Sequence, residues 1–180
     1  MRSLKVVVFM TGLTMLGGSQ TLRAQAVVAL TADQMTVKHD DFNGTDVALT
    51  AQKSVITQSH YGDVGLSLQR FTDADRTVSY QVFISYIGTE WAFWYGPLAL
   101  LVDGTHMTLP ALGEPARRVE GNHILLELLT WTITPAQLRQ LAAAKEIRIQ
   151  LRSQNEATLE PTLSDDNLRL IQGFVAGWVK

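Results

Sequence analysis

Apolar and polar residues alternate with period two through the middle of the chain, and that period commits the backbone to extended strands with one buried face. Val64, Leu66 and Leu68 share one side, with Gly65, Ser67 and Gln69 on the other. Val78, Tyr80, Val82, Ile84 and Tyr86 repeat the pattern, while Ser79, Gln81 and Ser85 face away. Leu129, Trp131 and Ile133 alternate with threonines at 130, 132 and 134, and Ile147, Ile149 and Leu151 alternate with Arg148, Gln150 and Arg152. Strands buried on one face in this way belong to antiparallel sheet; the strands of a parallel α/β sheet would be continuously apolar.

Turn chemistry divides these strands into hairpins. Asp103-Gly104, between LALLV and THMTL, can supply the two positive-φ residues of a type I′ turn, and Asn43-Gly44 offers a second such pair. The stretch FTDADR reads as a third connection. Two helices interrupt the pattern, over about 134–144 and 164–179. The first has Thr134 as N-cap, Pro135 at its first position and Gln137 completing a capping box, with Leu138, Leu141 and Ala142 as its inner stripe. The second starts at Ser164 with Asp165 and Asp166 in its first turn. Leu168, Ile171, Val175 and Trp178 then recur at helical spacing. Gly173 and Gly177 each weaken that helix by roughly 1 kcal/mol relative to alanine, so it should form by docking on the sheet.

The predicted fold is therefore mainly β: a single antiparallel β-sandwich of roughly seven to nine strands with two peripheral helices. An outer-membrane barrel would alternate similarly, but capped helices and a helical C-terminal segment argue against it. The N-terminus predicts export. Arg2 and Lys5 precede an apolar run from Val6 to Leu16, followed by Ala24-Gln25-Ala26, a small-x-small cleavage pattern. Cleavage after Ala26 leaves 154 of the 180 residues as one domain in the periplasm or outside the cell, with residues 27 to about 35 as a linker. The leader's apolar run is well short of the roughly 20 residues that span a bilayer, and no other stretch approaches that length.

Composition narrows the chemistry. The chain has no cysteine, which removes disulfides, thiolate metal sites and cysteine nucleophiles together. Without Arg2, Lys5 and Arg23, 12 basic residues stand against 17 acidic ones, a formal charge of −5 that argues against nucleic acid as a partner. His39, His60, His106 and His123 show no zinc spacing, and no metal site or cofactor is expected. His39 with Asp40 and Asp41 suggests a dyad, but adjacent strand residues point to opposite faces. The loop DDFNGTD, Asp40 to Asp46, has the oxygens of a calcium loop without its spacing: glycine comes too early, and Gln52 stands where the bidentate glutamate belongs. No nucleophile elbow or phosphate-binding glycine loop occurs, so no catalytic residue is assigned. Glu127, in HILLELLTW, is the one unusual carboxylate, since it shares a face with Leu125, Leu129 and Trp131. It is a buried general acid, a strand-edge glutamate, or the partner of Arg117 or Arg118 across a hairpin.

The stretch WAFWY, Trp91 to Tyr95, sends Trp91, Phe93 and Tyr95 one way along a strand and Ala92 and Trp94 the other. Large groups on both faces predict a central strand covered on both sides, with Phe174 and Trp178 of the second helix as one cover. Its end, beside Gly96-Pro97, is the place where aromatics would be exposed for recognition, which makes Trp94 and Tyr95 candidate binding residues. Arg148 and Arg152, four apart on one strand and hence on one polar face, are candidates to meet an anionic ligand or partner.

The sequence Trp91-Ala92-Phe93 before LLVDG, then ITPAQLRQLAAAKEIRIQL and a closing amphipathic helix, resembles small exported bacterial β-rich domains of unknown function. That resemblance implies a compact exported β domain and carries no activity or site residue with it. The expected function is an exported, non-enzymatic binding module for a protein or small ligand. The alternatives are a hydrolase with a site assembled from dispersed residues, or an accessory subunit of an envelope assembly.

Overall fold

The computed structural model describes residues 35–51, 53–59, 62–120, 123–154 and 158–180. The expected leader and linker, His60 and Gln52 lie outside them. The elements run β1 (Met35–Asp40), β2 (Thr45–Thr50), β3 (Lys53–Ser59), β4 (Gly62–Thr72), β5 (Val78–Gly88), β6 (Trp94–Val102), β7 (Thr105–Leu109), β8 (Ala116–Glu120), β9 (Ile124–Thr132), α1 (Pro135–Ala143), β10 (Ile147–Ser153), β11 (Thr158–Leu159) and α2 (Asp165–Trp178). The fold is mainly β, as alternation predicts, and the named strands pair antiparallel throughout. Strands number more than expected because long strands are shared. β4 pairs with β2 over its second half and with β3 over its first. Where β2 leaves, the buried Thr50 hydroxyl accepts the Leu68 N–H at 3.0 Å, so the backbone donor keeps a partner.

Sheet A runs β1-β2-β4-β5-β9-β8, with β3 also beside β4, and sheet B runs β11-β10-β6-β7. The two curl toward each other and join at one seam. Just past β7, Ala111 bridges to Trp131, the Leu112 N–H donates to the Thr130 carbonyl at 2.8 Å, and the Thr132 N–H donates to the Pro110 carbonyl at 3.1 Å. Leu66, Leu68, Val82, Ile84, Leu129 and Trp131 of sheet A and Leu98, Leu100, Leu109, Ile147 and Ile149 of sheet B form one continuous core. The alternating residues chosen for the buried faces fill it, with the exception of Val78, which is exposed at the start of β5; Ser67 and Ser85, expected to face away, are buried as well, so the middle of sheet A is covered on both sides of its pleat.

Both helices start where their caps require. Thr134 and Gln137 form the reciprocal capping box, and Ser164 caps α2 by accepting the Asn167 N–H. The buried face of α2 differs from the expected stripe. Leu170, Ile171 and Phe174 are buried, while Leu168, Val175 and Trp178 are only partly so. α2 packs on α1, β3 and β4, and Phe174 meets Tyr80 edge-on with centroids 6.3 Å apart. It therefore covers sheet A, not the aromatic strand assigned to it from the sequence.

Asp103 (φ 47) and Gly104 (φ 82) form the expected tight turn. The Asp103 carboxylate also accepts the N–H groups of Lys145 and Glu146, tying the hairpin tip to the α1–β10 connection. The first hairpin corrects its prediction: β1 and β2 are joined by four residues, with positive φ at Gly44 alone of the Asn43-Gly44 pair. The Asp40 carboxylate decides this, accepting the backbone N–H groups of Phe42 and Asn43 and the Asn43 amide. These bonds hold its pKa below the ordinary carboxylate range, chiefly through the Asn43 amide, and they employ the loop's first carboxylate in shaping the turn.

Candidate functional site

The expectation of a two-sided aromatic strand fails at both ends. Residues 91–93 precede β6 as irregular backbone, with Phe93 at φ 52, a left-handed conformation that costs a bulky residue about 1–2 kcal/mol. Glu127 maintains it. This carboxylate, 0% exposed on the inner face of β9, accepts the N–H groups of Ala92 and Phe93 on one oxygen, both at 2.8 Å. Its other oxygen takes the Trp94 N–H at 3.1 Å and the Arg117 Nε–H at 3.1 Å. Arg117 also donates to the Trp94 carbonyl at 3.0 Å and lies over the Phe93 ring, 5.3 Å from its centroid. The pairing of Glu127 with Arg117, directly opposed in the β8–β9 register, is one of the alternatives the sequence offers, and four donors leave no free lone pair directed at a substrate. Glu127 is a structural anion that shapes the approach to β6.

That approach sorts the two aromatic candidates. Trp94 is 1% exposed and packs edge-on against Tyr86 at 6.2 Å, so it is core and not part of an accessible binding rim. Tyr95, its neighbour, is 48% exposed on the outer face of sheet B. Between the pairs Ala99–Gln150 and Tyr95–Arg152, β6 carries two more residues than β10, a bulge at Gly96 (φ 78) and Pro97. Because the insertion is an even number, the alternation survives it, Trp94 turns in and Tyr95 turns out. The Trp131 indole N–H donates to the Gly96 carbonyl at 2.9 Å and fixes the bulge from the core side.

Arg152 stands opposite Tyr95, and Arg148 stands opposite Leu101, the third pair beyond the bulge, so three of the four predicted residues share one exposed sheet face. A polar chain joins the two arginines. Arg148 pairs with Glu160 at 3.3 Å, the Gln150 amide donates to Glu160 at 2.5 Å, and the Arg152 Nε–H donates to the Gln150 carbonyl oxygen at 3.0 Å. Ala99, small among long neighbours, leaves a dent of about 130 Å3 bounded by His106, Arg148, Gln150 and Glu160. Sequence reasoning missed His106, Gln150 and Glu160. Gln150 was visible by its parity with Arg148 and Arg152, whereas His106 and Glu160 reach the face only through the pairing of β7 with β6 and the course of the chain after β11.

Two further features adjoin this face or lie away from it. At the seam, Tyr95, Gly96, Glu114, Pro115, Thr130 and Gln154 line a groove of about 360 Å3. On the β1–β2 hairpin, His39 Nδ1 lies 2.7 Å from Asp46, its cross-strand partner, and Nε2 lies 3.5 Å from Asp41. The Asp41 approach corrects the expectation that neighbouring acids cannot converge on His39: Asp41 sits in the turn, outside strand alternation. The hydrogen bond that His39 donates to Asp46 is the main cause that raises the His39 proton affinity above the ordinary imidazole value. Among the described residues no helix is long and apolar enough to cross a membrane. No family model, curated protein or solved structure matches the chain.

Proposed function

We propose that this chain is an exported, non-enzymatic binding module, released by cleavage after Ala26 and recognising a protein or small ligand on the outer face of sheet B. The observation that supports this most is the register of β6 against β10, with Tyr95 opposite Arg152 and Arg148 held in place through Glu160 and Gln150. An exposed aromatic beside arginines whose side chains are already ordered matches the composition of recognition surfaces, and the ordering lowers the entropy lost on binding. The occupation of Glu127 by backbone and Arg117 donors favours recognition over hydrolysis.

Two measurements test this. Intact mass and N-terminal sequencing of protein recovered from the expressing cells should give Val27 as the first residue; a retained leader removes the export reading. The immobilised protein should then capture a component of the envelope or culture fluid that Arg148→Glu/Arg152→Glu protein does not retain and Lys38→Glu protein does. Capture indifferent to the arginine substitutions counts against this face.

A further inference from the structure

We infer that the seam groove beside Tyr95 is a subsite for a neutral saccharide. It deepens the binding-module reading, since Tyr95 borders both the outer face of sheet B and this groove, and it rests on that reading for nothing else. The groove's volume, about 360 Å3, falls within the roughly 300–1,000 Å3 of small-molecule sites.

Its lining combines the Tyr95 ring and small or apolar residues with the polar side chains of Glu114, Thr130 and Gln154. Among the described residues no hydrogen bond involves the Tyr95 hydroxyl, the Glu114 carboxylate or the Gln154 amide. The backbone beneath them is nevertheless held in place. The Gln154 N–H donates to the Phe93 carbonyl at 3.1 Å, the Gly96 carbonyl is anchored by Trp131, and the Leu112 N–H is anchored on Thr130. A rigid frame thus carries an exposed aromatic ring, a carboxylate acceptor and an amide that both donates and accepts. A sugar ring matches this set: its C–H face packs on the aromatic ring and its hydroxyls donate to and accept from the carboxylate and amide.

Charge excludes the obvious competitors. No lysine or arginine lines the groove, and Glu114 would repel a phosphate or carboxylate. The arginines lie on the adjoining outer face, where their partners are already Glu160 and Gln150. An organic cation would find one aromatic ring and one solvated carboxylate, short of the cage that holds quaternary ammonium groups.

The test uses the purified exported protein with maltose, cellobiose, lactose and N,N′-diacetylchitobiose as probes, read by saturation-transfer NMR and chemical-shift titration. At least one sugar should shift the Tyr95 ring and Gln154 amide signals. Tyr95→Ala should weaken its Kd about tenfold or more, and Glu114→Ala several-fold, about 1 kcal/mol, while Lys38→Glu leaves it unchanged. Every substituted position is exposed, and an unchanged melting temperature excludes misfolding as the cause. No shift with any of the four sugars at about 10 mM, a Kd indifferent to both Tyr95→Ala and Glu114→Ala, or shifts produced by choline chloride in place of the sugars overturns the inference. The outcomes separate from those for the sheet face. Sugars that fail while the arginine variant still loses its captured partner remove the saccharide subsite alone. Sugars that bind while the arginine variant still retains its partner remove the arginine face alone.

Discussion

Arg117 donates its Nε–H to Glu127 at 3.1 Å from the directly opposed position on the neighbouring strand, and Glu127 passes that constraint to three consecutive backbone N–H groups at Ala92, Phe93 and Trp94. A fully buried carboxylate is tolerated only when its charge and lone pairs are met, and here they are met by an arginine and the backbone of a loop that would otherwise not adopt its shape.

Removing that anion should destabilise the fold. Glu127→Ala strands Arg117 and three N–H donors and is expected to cost about 3–5 kcal/mol in urea denaturation. Glu127→Gln keeps the volume but turns an amide N–H2 toward N–H donors, and should lose a substantial part of the same amount. A midpoint within experimental error of the parent for both variants would mean the buried network contributes nothing net.

Gly62 and Gly104 should differ sharply when changed to alanine. Both have positive φ, +123 and +82, but a Cβ at Gly62 would lie 2.3 Å from the Ile87 carbonyl oxygen, whereas nothing lies within 4 Å of one at Gly104. Gly104→Ala should therefore cost only the left-handed backbone penalty, about 1 kcal/mol, and Gly62→Ala at least about 2–3 kcal/mol because two backbones must move apart. Equal losses in thermal melts would refute the clash.

The first hairpin should respond to pH from two sides. Asp40, whose folded pKa is lowered from 3.8, contributes stability that is present above that value and lost as pH falls through the folded pKa. His39, whose folded pKa is raised from 6.5, contributes stability that is present below 6.5 and lost as pH rises through its folded pKa. Amide protection in β1–β2, corrected for the intrinsic pH dependence of exchange, should be greatest between these limits. NMR titration should place the His39 midpoint above 6.5, and Asp46→Asn should lower it; a midpoint unmoved by Asp46→Asn would discount the 2.7 Å contact.

Asp103→Ala should loosen the contact between the β6–β7 tip and the α1–β10 connection. It removes the acceptor for two N–H groups and puts a Cβ residue without a local side-chain bond at φ 47, a combined loss of about 1–2 kcal/mol. Asp103→Asn, which tolerates the conformation and keeps an acceptor, should retain most of the stability.

What the sequence by itself determined are the features whose causes lie within a few residues of each other. Alternation set which side of β4, β5, β9 and β10 is buried, Thr134 and Ser164 started the helices, and Asp103-Gly104 made its turn, because pleat, cap and turn are local geometry. The same locality put Arg148 and Arg152 on one face, and limited what WAFWY could reveal. Alternation separates Trp94 from Tyr95 but does not say which side meets the opposite sheet, and the bulge at Gly96-Pro97 is visible only against β10. Tertiary structure decided that Trp94 is core, that α2 covers sheet A, and that Glu127 closes on groups 33 to 35 positions away. The physical reason is that such contacts depend on where two sheets curl together, and no short-range period or cap encodes that distance.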